Sequence, residues 1–337
     1  MLAFEDRNED SKYQANEPAS FCRQGPRIVL SPGQRLEDLT ISLTEDSRLD
    51  LDFAMDLSSV AEAITLDNIT MIWGELTSID DPRFTQTKAE MGLWEPLRFL
   101  QEIGTGIYFL ESFDAKKTPI LFVHGLSGHP GQWGHMIEHL DRDRLQPWLF
   151  YYPSGAGLNL ICDALYHTVE TLRLRYQFTE MHVVGHSMGG LVARCFLNHL
   201  TRQTTPLQIP IFLTISTPWG GHEAVEMAIK YAPMVVPSWL GMLPDSAFQN
   251  ALWETPLPPE TAYCLVFSFR GSDRPFMDRN NDGTVTLASQ LDHRAQMAAS
   301  RVCGLFEDHV SVLSNDKVVD LLSYTQEQGD RRETAAP

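Results

Sequence analysis

The sequence predicts an α/β fold: a mostly parallel sheet with helices on both of its faces. Unbroken apolar runs recur along the chain, and such runs are typical of strands that are buried on both sides. Segments with helical periodicity separate these runs, the longest being Leu158–Tyr176. Because strands and helices alternate, the connections between parallel strands are expected to cross over with a right hand.

The strands follow one another from Gly106 onward. Each expected strand is a short apolar run, and a helical pattern or a loop comes after it. Helices are expected near Trp133–Leu140, over Leu158–Tyr176, after Gly189 and over Asp316–Leu322. The expected strands are Ile107–Leu110, Pro119–Val123, Trp148–Tyr152, Met181–Val184, Ile211–Ile215 and Cys264–Phe267, with a further one near Val302.

Four parts of the chain differ in composition. Residues 1–26 and the tail 326–337 are polar and mixed in charge, which predicts poor order. Residues 27–105 form an N-terminal extension without an assigned role, in which Thr40–Leu43 and Ile69–Trp73 resemble short strands. Residues 106–325 carry the strand–helix rhythm and form the predicted catalytic domain, which a cap interrupts at about 221–260.

The net charge limits the possible partners. Lys and Arg number 26 against 44 Asp and Glu, which gives a formal charge of −18 and disfavours nucleic acid and anionic lipid surfaces. No apolar run approaches the ~20 residues of a membrane-spanning helix. The acidic N-terminus does not resemble a secretory signal, so a cytoplasmic location is expected for the sequence as written, and export if a leader has been trimmed. The oligomeric state is not predicted.

The five cysteines are Cys22, Cys162, Cys195, Cys264 and Cys303. They are scattered and odd in number, and no C-x-x-C pair is present, so neither a zinc knuckle nor a disulfide scaffold is predicted. Cys195 and Cys264 lie within apolar runs and are expected to be small core residues.

The strongest motif is Gly185-His186-Ser187-Met188-Gly189, a G-x-S-x-G between an apolar strand and an amphipathic helix. That context is the one a nucleophile elbow requires, because the sharp turn leaves no room for side chains at the flanking glycines. Ser187 is therefore the predicted nucleophile. The alternative is a plain glycine-rich turn.

A second motif, Val123-His124-Gly125-Leu126, ends the strand that precedes it. An oxyanion hole of this kind takes one amide after the nucleophile and one from an earlier loop. The predicted donors are the backbone N–H groups of Met188 and Leu126.

An acid and a histidine are then expected downstream of the serine. Asp282, in a turn after the Cys264–Phe267 strand, and His309, in a loop before the last helix, are the predicted pair. Asp273 and Asp278 are rival acids. His293 is a rival base, disfavoured because it follows Asp282 too closely and precedes the strand near Val302.

These motifs resemble the α/β-hydrolase superfamily, and within it bacterial lipases and esterases related to the inositol-deacylase-like (PGAP1-like) group. The resemblance covers roughly Gly106 to Tyr324. It implies a serine hydrolase that acts on carboxylic esters without a cofactor. The matching stretches are Leu121–Gly128, Gln146–Trp148, Tyr151–Gly155, Gly185–Gly190, Ser216–Gly221, Asn281–Val285 and Asp308–His309.

The segment between Gly221 and Glu260 lies where such folds insert a cap, and it is rich in Met, Pro and Trp. Flexible apolar side chains suit varied apolar ligands, so a mobile lid over an acyl pocket is one interpretation, and a packed cap without a gating role is the other. The candidate lid and pocket residues are Trp219, Met234, Trp239, Leu240 and Met242.

Two motifs suggest metals. His135-Met136-Ile137-Glu138-His139 matches the H-x-x-E-H pattern of a zinc peptidase, but it falls on a helix expected to face solvent. Asp278 to Gly283 begins like a calcium loop, yet position twelve is Ser289 instead of the usual glutamate. We therefore predict no catalytic metal, with a structural calcium near Asp282 as an alternative.

The sequence thus predicts an enzyme, a serine esterase or lipase that cleaves small-molecule or lipid esters through an acyl-serine intermediate. An amidase or thioesterase would use the same three side chains. A binding protein with the same fold and no catalysis is the alternative from another class, and a zinc peptidase built on His135, Glu138 and His139 is disfavoured.

Overall fold

The computed structural model describes residues 69–231, 235–271 and 280–322, together with short strands at 2–4, 12–13, 19–21 and 55–56. The chain divides into two compact units, Met1–Asn68 and Ile69–Pro337. In the first unit, Leu2–Phe4 pairs antiparallel with Ala19–Phe21, and Lys12–Tyr13 with Met55–Asp56. The poor order expected over residues 1–26 stays a prediction. Residues 40–43 and 326–337 lie outside the described residues.

The second unit contains an eight-stranded sheet that confirms the predicted α/β class. Its order is β8-β7-β6-β5-β3-β4-β2-β1. Strands β3 to β8 run parallel to one another, and β2 pairs antiparallel with β4 while it runs parallel to β1. The strands are β1 Met71–Leu76, β2 Thr105–Phe109, β3 Thr118–Val123, β4 Leu145–Tyr151, β5 His182–His186, β6 Ile211–Ile215, β7 Ala262–Ser268 and β8 Arg301–Leu305.

Eleven α-helices and two 3₁₀ turns accompany this sheet in the described ranges. The 3₁₀ turns are Pro130–Trp133 and Ser311–Ser314. In the parts of the chain that are described, no helix has both the length and the apolar character needed to cross a bilayer. The helices are α1 Gln86–Trp94, α2 Pro96–Glu102, α3 Gly134–Glu138, α4 Leu158–Tyr176, α5 Met188–Arg202, α6 Glu223–Tyr231, α7 Pro237–Met242, α8 Ala247–Ala251, α9 Leu287–Gln290, α10 His293–Ala298 and α11 at 316–322.

The core lies on both faces of the sheet, as the unbroken apolar runs predict. Along β3, Leu121 and Val123 join the cluster that packs against α4 and α5, whereas Ile120 and Phe122 join the opposite cluster. All four side chains are fully buried. Successive side chains of a strand point to opposite faces, so a strand covered on both sides is apolar at every position.

The second unit begins at Ile69 and includes the whole of the predicted catalytic domain, residues 106–325. Its edge strand β1 and helices α1 and α2 fall in the segment 27–105 that the sequence presents as an extension. Strand β1 has a single partner and is largely exposed, with Trp73 50% and Leu76 57% accessible. An edge strand of this kind lacks the continuous apolar run by which the central strands are identified.

One covalent link was not predicted. Cys162 in α4 and Cys195 in α5 form a disulfide, with Cα atoms 6.1 Å apart. The prediction that Cys195 is a small core residue is confirmed, whereas its bond to Cys162 was not predicted. The sequence separates the two cysteines by 33 residues, so only the packing of α4 against α5 brings them together. Cys264 is a free, buried cysteine, in line with its predicted role.

Reduction of this disulfide is expected to lower the free energy of unfolding by about 3–4 kcal/mol, the loop entropy of a 33-residue closure. Urea unfolding with and without a dithiol reductant measures the difference. The Cys162→Ala/Cys195→Ala variant is the control, because it should unfold at the same urea concentration under both conditions. Equal stability of the wild type with and without reductant would contradict the prediction.

Candidate active site

The candidate site lies at the carboxyl ends of neighbouring parallel strands. Strand β3 pairs with β5 so that Val123 lies opposite Gly185, which places the two loops that follow these strands side by side. On the other side of β5, the Ser187 N–H donates to the carbonyl of Ile215 at 2.8 Å. The crevice beyond the carboxyl strand ends is where open α/β sheets usually bind their ligands.

Ser187 lies in a strained turn between β5 and α5. Its backbone has φ 53° and ψ −129°, and helix α5 begins at the next residue. A Cβ at Gly189 would lie 2.2 Å from the Val123 carbonyl oxygen, and one at Gly185 would lie 2.7 Å from the Gly190 Cα. No side chain fits at either position, so the two glycines of the motif are required by packing.

The loop after β3 packs directly against this serine. A Cβ at Gly125 would lie 2.8 Å from the Ser187 Cβ. Ser127 has a positive φ of 52°, and its N–H donates to the Ser154 hydroxyl at 3.0 Å. The Leu126 amide therefore belongs to a loop that contacts the turn at Ser187, and the Met188 amide is the first of helix α5.

The His124 residue stabilises the loop that follows β3. Its ring stacks on Tyr152, with centroids 4.1 Å apart, and its Nδ1–H donates to the carbonyl of Gly125 at 2.9 Å. The Tyr152 hydroxyl donates to the carbonyl of His124. Burial lowers the pKa of His124 to about 3, so the ring is neutral near pH 7 and serves as a structural element.

Asp282 and His309 are joined by a hydrogen bond. The His309 Nδ1–H donates to Asp282 Oδ2 at 2.7 Å, and the His309 backbone N–H donates to the Asp282 carbonyl at 2.9 Å. Both residues are buried. His186, which precedes Ser187, donates from Nε2 to the His309 carbonyl at 2.8 Å, and the two rings are 4.8 Å apart. Ser187 Oγ itself makes no hydrogen bond to His309 in this arrangement.

Two partners of Asp282 have no signal in the sequence. Ser268, the last residue of β7, donates its hydroxyl to Asp282 Oδ2 at 2.8 Å, and Gln290 in α9 donates its amide to the same oxygen at 3.0 Å. The amides of Thr284 and Val285 donate to Oδ1 at 2.9 and 2.7 Å. Five donors thus surround the carboxylate, which leaves Asp282 poorly placed to ligate calcium.

The charge of Asp282 is maintained by these donors. Burial alone would raise the pKa of this carboxyl, but the hydrogen bond from His309 and the amide of Val285 outweigh it, and the pKa lies below its ordinary value. A buried carboxylate with a full set of donors is well suited to orient an imidazole and to stabilise its cation.

Of the three rival residues, the structure describes His293. Its side chain is 84% exposed and lies 3.8 Å from Asp292. Asp273 and Asp278 lie outside the described residues.

The candidate lid and pocket residues differ in exposure. Trp219, Trp239 and Met242 are buried in the core cluster of α4 and α5, while Leu240 is 52% exposed; Met234 is not described. The predicted cap at 221–260 contains the three short helices α6, α7 and α8.

Acidification is expected to destabilise the protein through the buried histidines around the site. Burial lowers the pKa of His124 and His186 to about 3 and that of His222 to about 4. The unfolded chain binds these protons near pH 6.5, so stability is full above that pH and is lost as pH falls towards 3. At pH 5 the loss is roughly 2 kcal/mol for each histidine.

Urea unfolding at pH 7 and pH 5 measures this effect. The His222→Gln variant should lose about a third of the dependence, and the exposed His293→Gln variant should retain it in full. Equal stability of the wild type at the two pH values would contradict the burial of neutral histidines.

Comparisons with known proteins agree with this fold. Residues 160–232 match the family model described as an alpha/beta hydrolase of unknown function (DUF915). The 1-acylglycerol-3-phosphate O-acyltransferase ABHD5 of Rattus norvegicus and that of Mus musculus are each 25% identical over 140 residues, 38% of this chain. The match spans 37% of the length of these relatives.

Solved structures match this chain at lower sequence identity. The product of lin2722 from Listeria innocua has a TM-score of 0.48 and 18% identity, covering 63% of this chain and 94% of that one. The mature lipase BlEst2 of Bacillus licheniformis has a TM-score of 0.48 and 17% identity, covering 63% and 93%. None of these matches singles out the inositol-deacylase-like group. The mostly parallel sheet and the strand–serine–helix turn give this chain the α/β-hydrolase fold, and the alpha/beta-hydrolase family model matches the part of it from residue 160 to residue 232.

Proposed function

We propose that this chain is a serine hydrolase that cleaves carboxylic esters with an apolar acyl group. The observation that carries the proposal is the buried hydrogen bond of 2.7 Å between Asp282 and His309, close to the strained turn of Ser187. A nucleophile, a base and a carboxylate that orients the base are the parts that acyl transfer to serine needs.

In the proposed reaction, Ser187 Oγ attacks the ester carbonyl carbon while His309 Nε2 takes the hydroxyl proton. The His309 Nδ1–H already donates to Asp282, so Nε2 is the nitrogen that carries the lone pair. Catalytic hydrogen bonds are often long or absent without substrate, and rotation of the Ser187 side chain brings its hydroxyl towards His309 in this proposal.

The negative charge that forms on the carbonyl oxygen is stabilised by the Leu126 and Met188 amides. Loss of one such donor typically raises the barrier by about 3–4 kcal/mol. The intermediate collapses when His309 returns the proton to the leaving alcohol, which leaves an acyl group on Ser187. Water, activated by the same histidine, then releases the acid.

An apolar acyl group is supported by the surface of the cap. Leu240 in α7 and Trp94 in α1 are 52% and 45% exposed, and Trp94 contacts the ring of Trp239 edge-on at 5.8 Å. Exposed apolar side chains of this kind favour apolar ligands.

Labelling with a fluorophosphonate tests this proposal without assuming a natural substrate. We expect one adduct per chain, on the peptide that contains Ser187. The control variant Ser300→Ala, which loses an exposed serine hydroxyl, should give the same adduct. A native chain that remains unlabelled would favour a binding protein without catalysis. Turnover of matched p-nitrophenyl esters of short and long acyl chains, a thioester and an anilide then defines the acyl group and the bond cleaved.

A further inference from the structure

A cluster of two histidines and an aspartate lies where the segment of α3 meets the start of α11. His135 lies in α3, His139 follows its end, and Asp316 begins α11. The His135 Nε2 is 2.9 Å from Asp316 Oδ1, and the two imidazole rings are 4.3 Å apart. Potential ligand atoms of all three side chains lie within 4.8 Å of one another.

The tautomer of His139 is fixed in a form suited to ligation. Its Nδ1 lies 2.8 Å from the His135 carbonyl oxygen, which can only accept, so Nδ1 carries the proton. The lone pair is therefore on Nε2. Histidines that bind metals usually donate their other ring N–H to a carbonyl or carboxylate in this way, which orients the ring and raises the basicity of the ligating nitrogen.

The donor set indicates the class of ion. Two imidazoles and one carboxylate suit Zn²⁺ and similar divalent transition metals, whereas Ca²⁺ and Mg²⁺ prefer oxygen ligands throughout. All three side chains reach solvent in part, so an ion has a path of entry and water can complete the coordination. Glu138 lies between the histidines in sequence, but the third ligand supplied by the fold is Asp316.

We propose that His135, His139 and Asp316 bind one divalent transition-metal ion, with Zn²⁺ the best match. The ion would join α3, which follows the Leu126 loop, to α11, which follows the His309 loop. Both loops belong to the candidate active site, so the ion acts as a structural clamp between the segments that follow them. This role needs no hydrolytic activity, and it stands whether or not the chain is an esterase.

Calorimetric titration of the chelator-treated, metal-free chain with ZnCl₂ tests the site. We expect one Zn²⁺ per chain and a rise in melting temperature of about 5 °C at saturation. The variants His135→Ala, His139→Ala and Asp316→Asn should each weaken binding more than about tenfold. Asp316→Asn retains the shape of the side chain, so it remains informative if a histidine variant does not fold.

Two controls separate this site from other histidines. His293→Ala removes an exposed histidine elsewhere and should leave the titration unchanged. His199→Ala tests a second group of possible metal ligands, Cys162, Cys195 and His199. The sulfurs of the two cysteines are joined in the disulfide. Absence of Zn²⁺ binding to the wild type, or binding that survives Asp316→Asn and His139→Ala but is lost in His199→Ala, would overturn the proposal.

Discussion

Ser187→Ala is expected to reduce kcat on a p-nitrophenyl ester by about 10⁴- to 10⁶-fold, the largest effect we predict. The substitution removes the hydroxyl that would form the acyl intermediate. It leaves the Gly185 and Gly189 contacts intact, so the fold should persist. Ester hydrolysis by the purified variant and its melting temperature, measured in parallel, separate lost chemistry from lost structure.

Ser300→Ala is the matched control for this experiment, because it removes one exposed serine hydroxyl and should retain full turnover. The fluorophosphonate should also fail to label Ser187→Ala. Turnover of the alanine variant within tenfold of the wild type would show that the chemistry lies elsewhere in the chain.

Asp282→Asn is expected to reduce kcat by about 10⁴-fold, because an asparagine favours the wrong tautomer of His309. The surroundings of Asp282 predict a second effect. Oδ2 of Asp282 accepts three hydrogen bonds and Oδ1 accepts two. Whichever way the side-chain amide of an asparagine is turned, its NH₂ group would face N–H or O–H donors. Donors that face one another in a buried site destabilise the fold by roughly 1–3 kcal/mol.

Steady-state kinetics and urea unfolding should therefore both change in Asp282→Asn. Asp292→Asn is the control, since Asp292 pairs with Arg294 outside the site and its loss should change kcat little. A variant of Asp282 that unfolds more easily but retains kcat within tenfold would assign this carboxylate a structural role only.

The central part of the fold could be predicted from the sequence because buried strands and helices have a characteristic local pattern of apolar residues. Helix α4 spans Leu158–Tyr176, the range that its periodicity indicates. A strand that is covered on both faces reads as an apolar run, and β3 is of this kind. The turn at Ser187 could be predicted because its motif lies between a strand and a helix, although Gly189 packs against the distant Val123 carbonyl.

Features that depend on contacts between distant segments could not be predicted. The disulfide requires α4 and α5 to pack at one register, and neither Cys162 nor Cys195 has a local motif. Ser268 and Gln290 reach Asp282 only because β7 ends beside α9. Strand β1 overlaps the expected strand Ile69–Trp73, but its exposed side chains do not indicate that it joins the main sheet.

The disulfide has a topological consequence for the segment that contains Ser187. Cys162 and Cys195 close a ring of chain, and strand β5 and Ser187 lie inside that ring. A protease that cuts once within the ring would produce two fragments that stay covalently joined. Such a cut separates the fragments on a denaturing gel only after reduction, so a non-reducing gel would show a nicked chain as intact.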